Sequence, residues 1–181
     1  MRYARETASS RPEAETPRTI AARRSPLPPN PAYVTLQESV TMSVNLSAHD
    51  KLTLRTAAYG AVTLLSAAGA AGGSPHRIAT DGSIALASAT GPVGHVLAEK
   101  STGVDLGGRS VAEIADRVLP ALTEAMRLLA QQDPSEADNF RRTVVVALDA
   151  GVRSRRGEPG PALTDMIDKI VAALDAAEVT T

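Results

Sequence analysis

Apolar residues recur at helical spacing through most of the chain after Met42 and show no regular spacing before it. The clearest run has one apolar face, formed by Leu54, Ala58, Ala61, Leu65 and Ala68. Steps of four and three residues are typical of one face of an α-helix. From Ala57 onward the other faces are also apolar or small, which is typical of a helix buried on all sides. We therefore predict a central helix here, started by a capping box of Ser47 and Asp50.

Two amphipathic helices are predicted in the second half of the chain. The first begins at a second capping box, Ser110 and Glu113. Its apolar stripe consists of Val111, Ile114, Val118, Leu122, Ala125 and Leu129. Pro120 falls on its polar face, where a kink leaves the freed carbonyls within reach of water. The second helix covers residues 162–177, with an apolar side of Leu163, Ile167, Ile170, Leu174 and Ala177. Its polar opposite side favours docking on the outside of a bundle.

A further helix is predicted over residues 135–152. Asp133-Pro134 is a helix start signal, since Asp caps the first turn and Pro suits the first helical position. The run Val144-Val145-Val146 is rich in β-branched residues, so a strand over 143–148 is the minority alternative.

The stretch from His76 to Gly91 is the least regular part of the pattern. Here we predict a helix that starts near Asp81. Asp81-Gly82 is also the signal of a two-residue hairpin turn, so a short β-hairpin around this pair is the minority alternative. Gly91-Pro92 ends the segment, and residues 93–100 form a short helix or turn.

The pattern as a whole predicts an all-α fold, a compact bundle of about five helices in a single domain over residues 42–181. Residues 1–33 hold half of the prolines and have no helical or strand period. Such a composition favours extended, polyproline-like chain without a core. We therefore predict that residues 1–41 are a disordered Arg/Pro-rich leader. An alternative interpretation is that translation naturally starts at Met42.

Composition makes the predicted core unusual. Only Tyr59 and Phe140 are aromatic in residues 42–181, and Trp is absent. Aromatic side chains usually bury the largest area, so helices here must approach closely over Ala and Gly to keep native packing density. We expect Gly60 to permit one such approach. A flat apolar face of this kind is easily shared, so we expect a homo-oligomer or a helical protein partner.

Charge and cysteine usage exclude several classes of protein. Residues 1–41 carry six Arg against four Glu, whereas residues 42–181 carry thirteen basic against sixteen acidic groups. The predicted domain therefore lacks the basic surplus typical of a general nucleic-acid binder. The absence of Cys excludes disulfides, Cys-ligated zinc and thiol catalysis.

The uncharged stretch at residues 56–75 has the length of a membrane span but not its hydropathy, because it is rich in Gly, Ala, Ser and Thr. We expect no membrane association. Arg23-Arg24 is followed by Pro-rich residues rather than by the apolar region of an export signal. We therefore expect a cytoplasmic protein.

Candidate catalytic or metal-binding chemistry is confined to three histidines. His49, His76 and His95 belong to no metal-binding motif, and each lies near the end of a predicted element. Together with Asp81, they could converge on an open zinc site or a small-molecule pocket. We favour solvent-facing cap and loop positions, and we assign no catalytic residue, metal or cofactor. Neither a phosphate-binding loop nor a nucleophile elbow is present in the sequence.

One stretch concentrates basic side chains: Arg141, Arg142, Arg153, Arg155 and Arg156. Cations at a helix C-terminus complement the helix dipole and bind its last carbonyls, which accounts for the last three without a partner. Nucleic-acid binding would call for neighbouring aromatics or a recognition helix, and neither is apparent in the sequence. We therefore do not expect nucleic acid as the main partner.

These patterns favour a non-enzymatic structural or regulatory protein that acts through protein–protein packing and self-association. The alternative is a small-molecule- or metal-binding helical enzyme with a pocket near His76, Asp81 and His95. A second alternative is weak nucleic-acid binding through the arginines between Arg141 and Arg156. Metal content after purification distinguishes the first alternative, and salt-dependent retention on DNA distinguishes the second.

Overall fold

The computed structural model describes residues 44–72, 75–99, 104, 106–108, 110–155 and 157–177. Within these residues the chain forms six α-helices and no strand. We number the helices α1 (Ala48–Ala68), α2 (Pro75–Ala87), α3 (Gly91–Ala98), α4 (Val111–Gln132), α5 (Pro134–Arg153) and α6 (Pro161–Asp175). A short 3₁₀ helix, Gly69–Gly72, follows α1. The predicted leader, residues 1–41, lies outside the described residues. The all-α fold predicted from the pattern is confirmed.

The caps read from the sequence start three of these helices. Ser47 Oγ accepts from Asp50 N at 3.2 Å, and Asp50 Oδ2 accepts from Ser47 N at 2.9 Å. Ser110 Oγ accepts from Glu113 N at 3.2 Å at the start of α4. Asp133 Oδ1 accepts from Ser135 N at 2.9 Å at the start of α5. Each bond satisfies a backbone N–H that the first helical turn leaves without a partner.

Two minority alternatives from the sequence are wrong. Asp81-Gly82 lies in the middle of α2 rather than in a hairpin turn, and that helix begins at Pro75, earlier than predicted. The physical reason is tertiary, because Gly82 is buried against α1 and α5. The Val-rich run at 144–146 lies inside α5, where Val144 is buried, so it forms no strand.

The α1 helix is the centre of the bundle, as predicted, since it packs against all five other helices. Its fully buried side chains are Leu54, Ala57, Ala58, Ala61, Leu64 and Leu65. The small residues among them let neighbouring helices approach. At Gly60, a Cβ atom would lie only 2.5 Å from a methyl carbon of Val118 on α4. The close approach expected at Gly60 is therefore confirmed.

The α2 and α5 helices pack side by side in antiparallel directions. A Cβ atom on Gly82 would lie 3.3 Å from the Ala147 carbonyl oxygen, and one on Gly151 would lie 3.2 Å from the Ile78 carbonyl oxygen. Glycines in both helices therefore bring the two backbones close together. Of the helices described, none combines the length and hydropathy that a bilayer span requires.

Candidate functional site

A shallow groove runs along the outside of the bundle between α2 and α5. One hollow of about 360 Å³ is lined by Ala85, Ser88, Ala89, Thr90, Asn139, Arg142, Thr143 and Val146. A second hollow of about 430 Å³ is lined by Asp81, Ile84, Ala85, Ala150, Arg153 and Ser154. Ala85 lines both hollows, so they adjoin. We call this surface the α2–α5 groove.

The centre of the α2–α5 groove is apolar and open to solvent. Ile84 is 59% exposed and Val146 is 48% exposed, and no other large hydrophobic residue among those described is as exposed. Both line the groove, together with Ala85, Ala89 and Ala150. Helical geometry explains the position of the two large side chains, because each lies two positions from buried residues of its own helix and therefore points away from the core. Exposed apolar residues that adjoin each other commonly mark an interaction surface.

The solvent side of α5 carries a regular row of residues. Asp138, Arg142, Val146, Asp149 and Arg153 are all exposed and are spaced by four, four, three and four positions. At 100° per residue, such spacing places all five on one narrow face of the helix. We call this row the α5 stripe. In chain order it reads acid, base, valine, acid, base.

The charges of the α5 stripe are available for a partner. In the part of the chain that the structure describes, none of its four charged side chains forms an ion pair. By contrast Arg141, on a neighbouring face of α5, bonds through Nε to Asp175 Oδ1 at 2.7 Å and ties α5 to the end of α6.

The arginines singled out in the sequence make different contacts where the structure describes them. Arg142 and Arg153 line the α2–α5 groove, whereas Arg141 pairs with Asp175. Arg155 donates from Nη2 to the Gly72 carbonyl at 3.0 Å and links the end of α5 to the 3₁₀ helix. Arg156 lies outside the described residues. The described arginines of this set therefore do not form one basic surface.

The histidines lie apart from one another on the surface. His49 and His76 are exposed in the first turns of α1 and α2, and His95 is exposed in the last turn of α3. Asp81 instead lines the α2–α5 groove. Among the described residues, no three side chains of the His, Cys, Asp or Glu type lie close enough to hold a metal ion. The structure therefore does not bring His76, Asp81 and His95 together as a ligand set.

A second polar cluster joins α1 to the end of α3. Glu99 bonds to Lys51 Nζ at 3.0 Å and to Arg55 Nη1 at 2.8 Å, and Tyr59 Oη donates to the Leu97 carbonyl at 2.8 Å. The hydrogen bond from Lys51 is the main reason that the pKa of Glu99 lies below its ordinary value. Burial raises the pKa of Tyr59. Lys51 and Arg55 are both paired with Glu99, so this cluster stabilises the packing of α3 against α1.

Sequence reasoning missed Ile84, Val146 and the two aspartates of the α5 stripe. A signal was present in the sequence, because Val146 lies among charged residues on the polar face of its helix. A single exposed valine carries little weight by itself, so the signal became informative only when the structure placed Ile84 of α2 in the same groove.

No known protein family, curated protein or solved structure matches the chain. Function is therefore inferred from the chemistry and geometry of the surface itself.

Proposed function

We propose that this is a non-enzymatic structural or regulatory protein of the cytoplasm that acts through protein–protein packing and self-association. The α2–α5 groove is its interaction surface. The observation that carries the proposal is the joint exposure of Ile84 and Val146 along the same groove. The remaining large hydrophobic residues of the described helices are buried or only partly exposed.

The groove has the composition of a protein interface rather than of a reaction site. Its centre is aliphatic, and its edges are polar at Asp81, Asn139 and Arg142. Covering apolar surface drives association, and a polar rim supplies orientation. The alanines at its base leave space for a partner helix to approach closely. No histidine lines the two hollows. Asp81 is the one carboxylate among their lining residues, and the two arginines there, Arg142 and Arg153, stay protonated and cannot act as general bases.

Weak nucleic-acid binding draws less support. Arg142 and Arg153 alternate with Asp138 and Asp149 along the α5 stripe, so a polyphosphate backbone would meet acids as often as bases. Proteins that bind single-stranded nucleic acid combine basic side chains with aromatic side chains that stack on the bases, and no aromatic residue lines the two hollows.

The test is the solution mass of the full chain by sedimentation or light scattering over a range of concentrations. We expect the wild-type mass to exceed that of one chain. Val146→Glu and Ile84→Glu should each shift it toward one chain, because a buried, unpaired carboxylate opposes association. Helical circular dichroism should stay unchanged, since both side chains are exposed.

The matched control is Ala130→Glu, which adds the same charge at an exposed position of α4 outside the groove. This variant should associate like the wild type. A wild-type chain that stays monomeric at all concentrations, or an assembly that Val146→Glu leaves intact, would contradict the proposal.

A further inference from the structure

We propose that α5 packs against α5 of a second copy of the chain, antiparallel and two-fold symmetric, with Val146 at the centre. This inference rests on the proposed self-association and specifies its geometry. It is carried by the order of charges along the α5 stripe, which is complementary to itself when one copy is reversed.

The charges of the α5 stripe lie at nearly matching distances on either side of Val146. In an antiparallel pair centred on one residue, each position before the centre faces the corresponding position after it. Arg142 lies four residues before Val146, and Asp149 lies three residues after it. Asp138 lies eight residues before and Arg153 seven after. The mismatch of one residue corresponds to about 1.5 Å along the helix axis, which side chains of this length absorb.

The antiparallel arrangement brings opposite charges together. Arg142 of each copy faces Asp149 of the other, and Asp138 of each copy faces Arg153 of the other. Within one helix, Asp138 and Arg142 are also four residues apart, as are Asp149 and Arg153, with the acid first. That order is the favourable one along a helix. Each side of the Val146 contact therefore holds a closed ring of four alternating charges.

A parallel arrangement would instead bring like charges together. Parallel packing would set Arg142 beside Arg142 and Asp149 beside Asp149 of the second copy, and like charges in close contact disfavour a complex. Burial of Val146, with Ile84 on the α2 side, drives association. The charges add little affinity, because exposed ion pairs are individually weak, but they set the direction and register of the two helices. With a two-fold axis every contact also occurs twice, as is usual for homodimers.

The first experiment uses two single variants of the full chain. Arg142→Asp and Asp149→Arg should each raise the dissociation constant of self-association about tenfold, because each substitution alters two symmetric contacts. Mixed together, the two variants should associate with each other at close to wild-type affinity, because each supplies the charge that the other lacks. The matched control is Arg127→Asp with Glu124→Arg, an exposed pair on α4 that should not change association.

The second experiment determines direction. The fourfold variant Asp138→Arg, Arg142→Asp, Asp149→Arg and Arg153→Asp keeps the net charge and inverts every charge of the α5 stripe. In the antiparallel arrangement it should associate with itself but not with the wild type. Differently labelled copies, mixed in equal amounts and analysed by native mass spectrometry, should therefore yield far fewer mixed dimers than random exchange gives.

The other outcomes contradict the inference in different ways. Preferential mixing of wild type and fourfold variant would show a parallel pair, and random mixing would show that the α5 stripe does not contact its copy. Both would overturn the inference while leaving self-association in place. A monomeric wild type would overturn the proposed function as well. If the fourfold variant loses its helical signal, the two single variants decide the direction. Self-association that is weakened in each variant and restored by mixing them shows that Arg142 meets Asp149. In a parallel pair the self-association of each variant would stay close to that of the wild type, because each substitution would replace one like-charge contact by another.

Discussion

At the scale of single residues, small side chains decide how near the helices come. The contact of Gly60 with Val118 sets the distance between α1 and α4. Helix propensity alone favours Gly60→Ala by about 1 kcal/mol. A β-branched valine in a buried contact has few conformations in which it can move aside. We therefore expect the steric cost, about 1–3 kcal/mol, to exceed the gain in propensity.

The measurement for this residue is a double-mutant cycle in urea. Gly60→Ala should lower the free energy of unfolding, and Val118→Ala should lower it by leaving a cavity. The double variant should lose less than the sum, because the new methyl group occupies space that the valine vacates. Additive losses, or a stabilised Gly60→Ala, would show that α1 and α4 have room to spare at this point.

At the scale of elements, charged groups supplement the apolar contacts between helices. The short helix α3 buries Val93, Val96 and Leu97 in the core, and Glu99 ties its end to α1 by binding two cations of that helix. The Arg55 side chain is only 11% exposed, so its bond to Glu99 is shielded from water more than the other ion pairs of the described chain. The two bonds of Glu99 therefore form a joint between α1 and α3.

This joint predicts a pH dependence of stability. The pKa of Glu99 is lowered in the folded state, chiefly by the bond from Lys51, so its contribution is full above the unfolded pKa of about 4.3. The contribution is lost as the pH falls through the lower, folded value. Glu99→Gln should therefore reduce the thermal midpoint near neutral pH, and the difference from wild type should fade in acid. Glu124→Gln, whose partner Arg127 lies on the same helix, is the control and should change the midpoint less. A pH-independent effect of Glu99→Gln would contradict this role.

At the scale of the whole molecule, one face differs from the rest. The exposed aliphatic residues and the unpaired charges of α5 lie on the side of α2 and α5, while the histidines are scattered over other positions. We therefore expect the triple variant His49→Gln, His76→Gln and His95→Gln to keep the solution mass of the wild type. Stoichiometric metal in the purified protein, lost in this variant together with assembly, would instead support a site built on His76, Asp81 and His95.

The elements could be predicted because their signals are local. Ser47, Ser110 and Asp133 start helices through bonds to residues two or three positions away, so a short stretch of sequence contains the whole interaction. The stretch around Asp81-Gly82 was ambiguous for the opposite reason. Its turn signal is equally local, and what overrides it is the contact of Gly82 with Val62 on α1 and Ala147 on α5, which are distant in sequence.

The interaction surface also combines features that the sequence determined with features that only the tertiary structure decided. The sequence by itself determined which positions of α5 share a face, because helical periodicity belongs to the chain alone. It also determined that the core must be built from small and aliphatic residues. Only the tertiary structure decided that Ile84 of α2 and Val146 of α5 line one groove. It also decided that Arg141 pairs with Asp175 while Arg142 has no ion-pair partner among the described residues, and that the histidines lie apart. Proximity between helices depends on how their apolar faces fill space together, and no single segment of sequence contains that information.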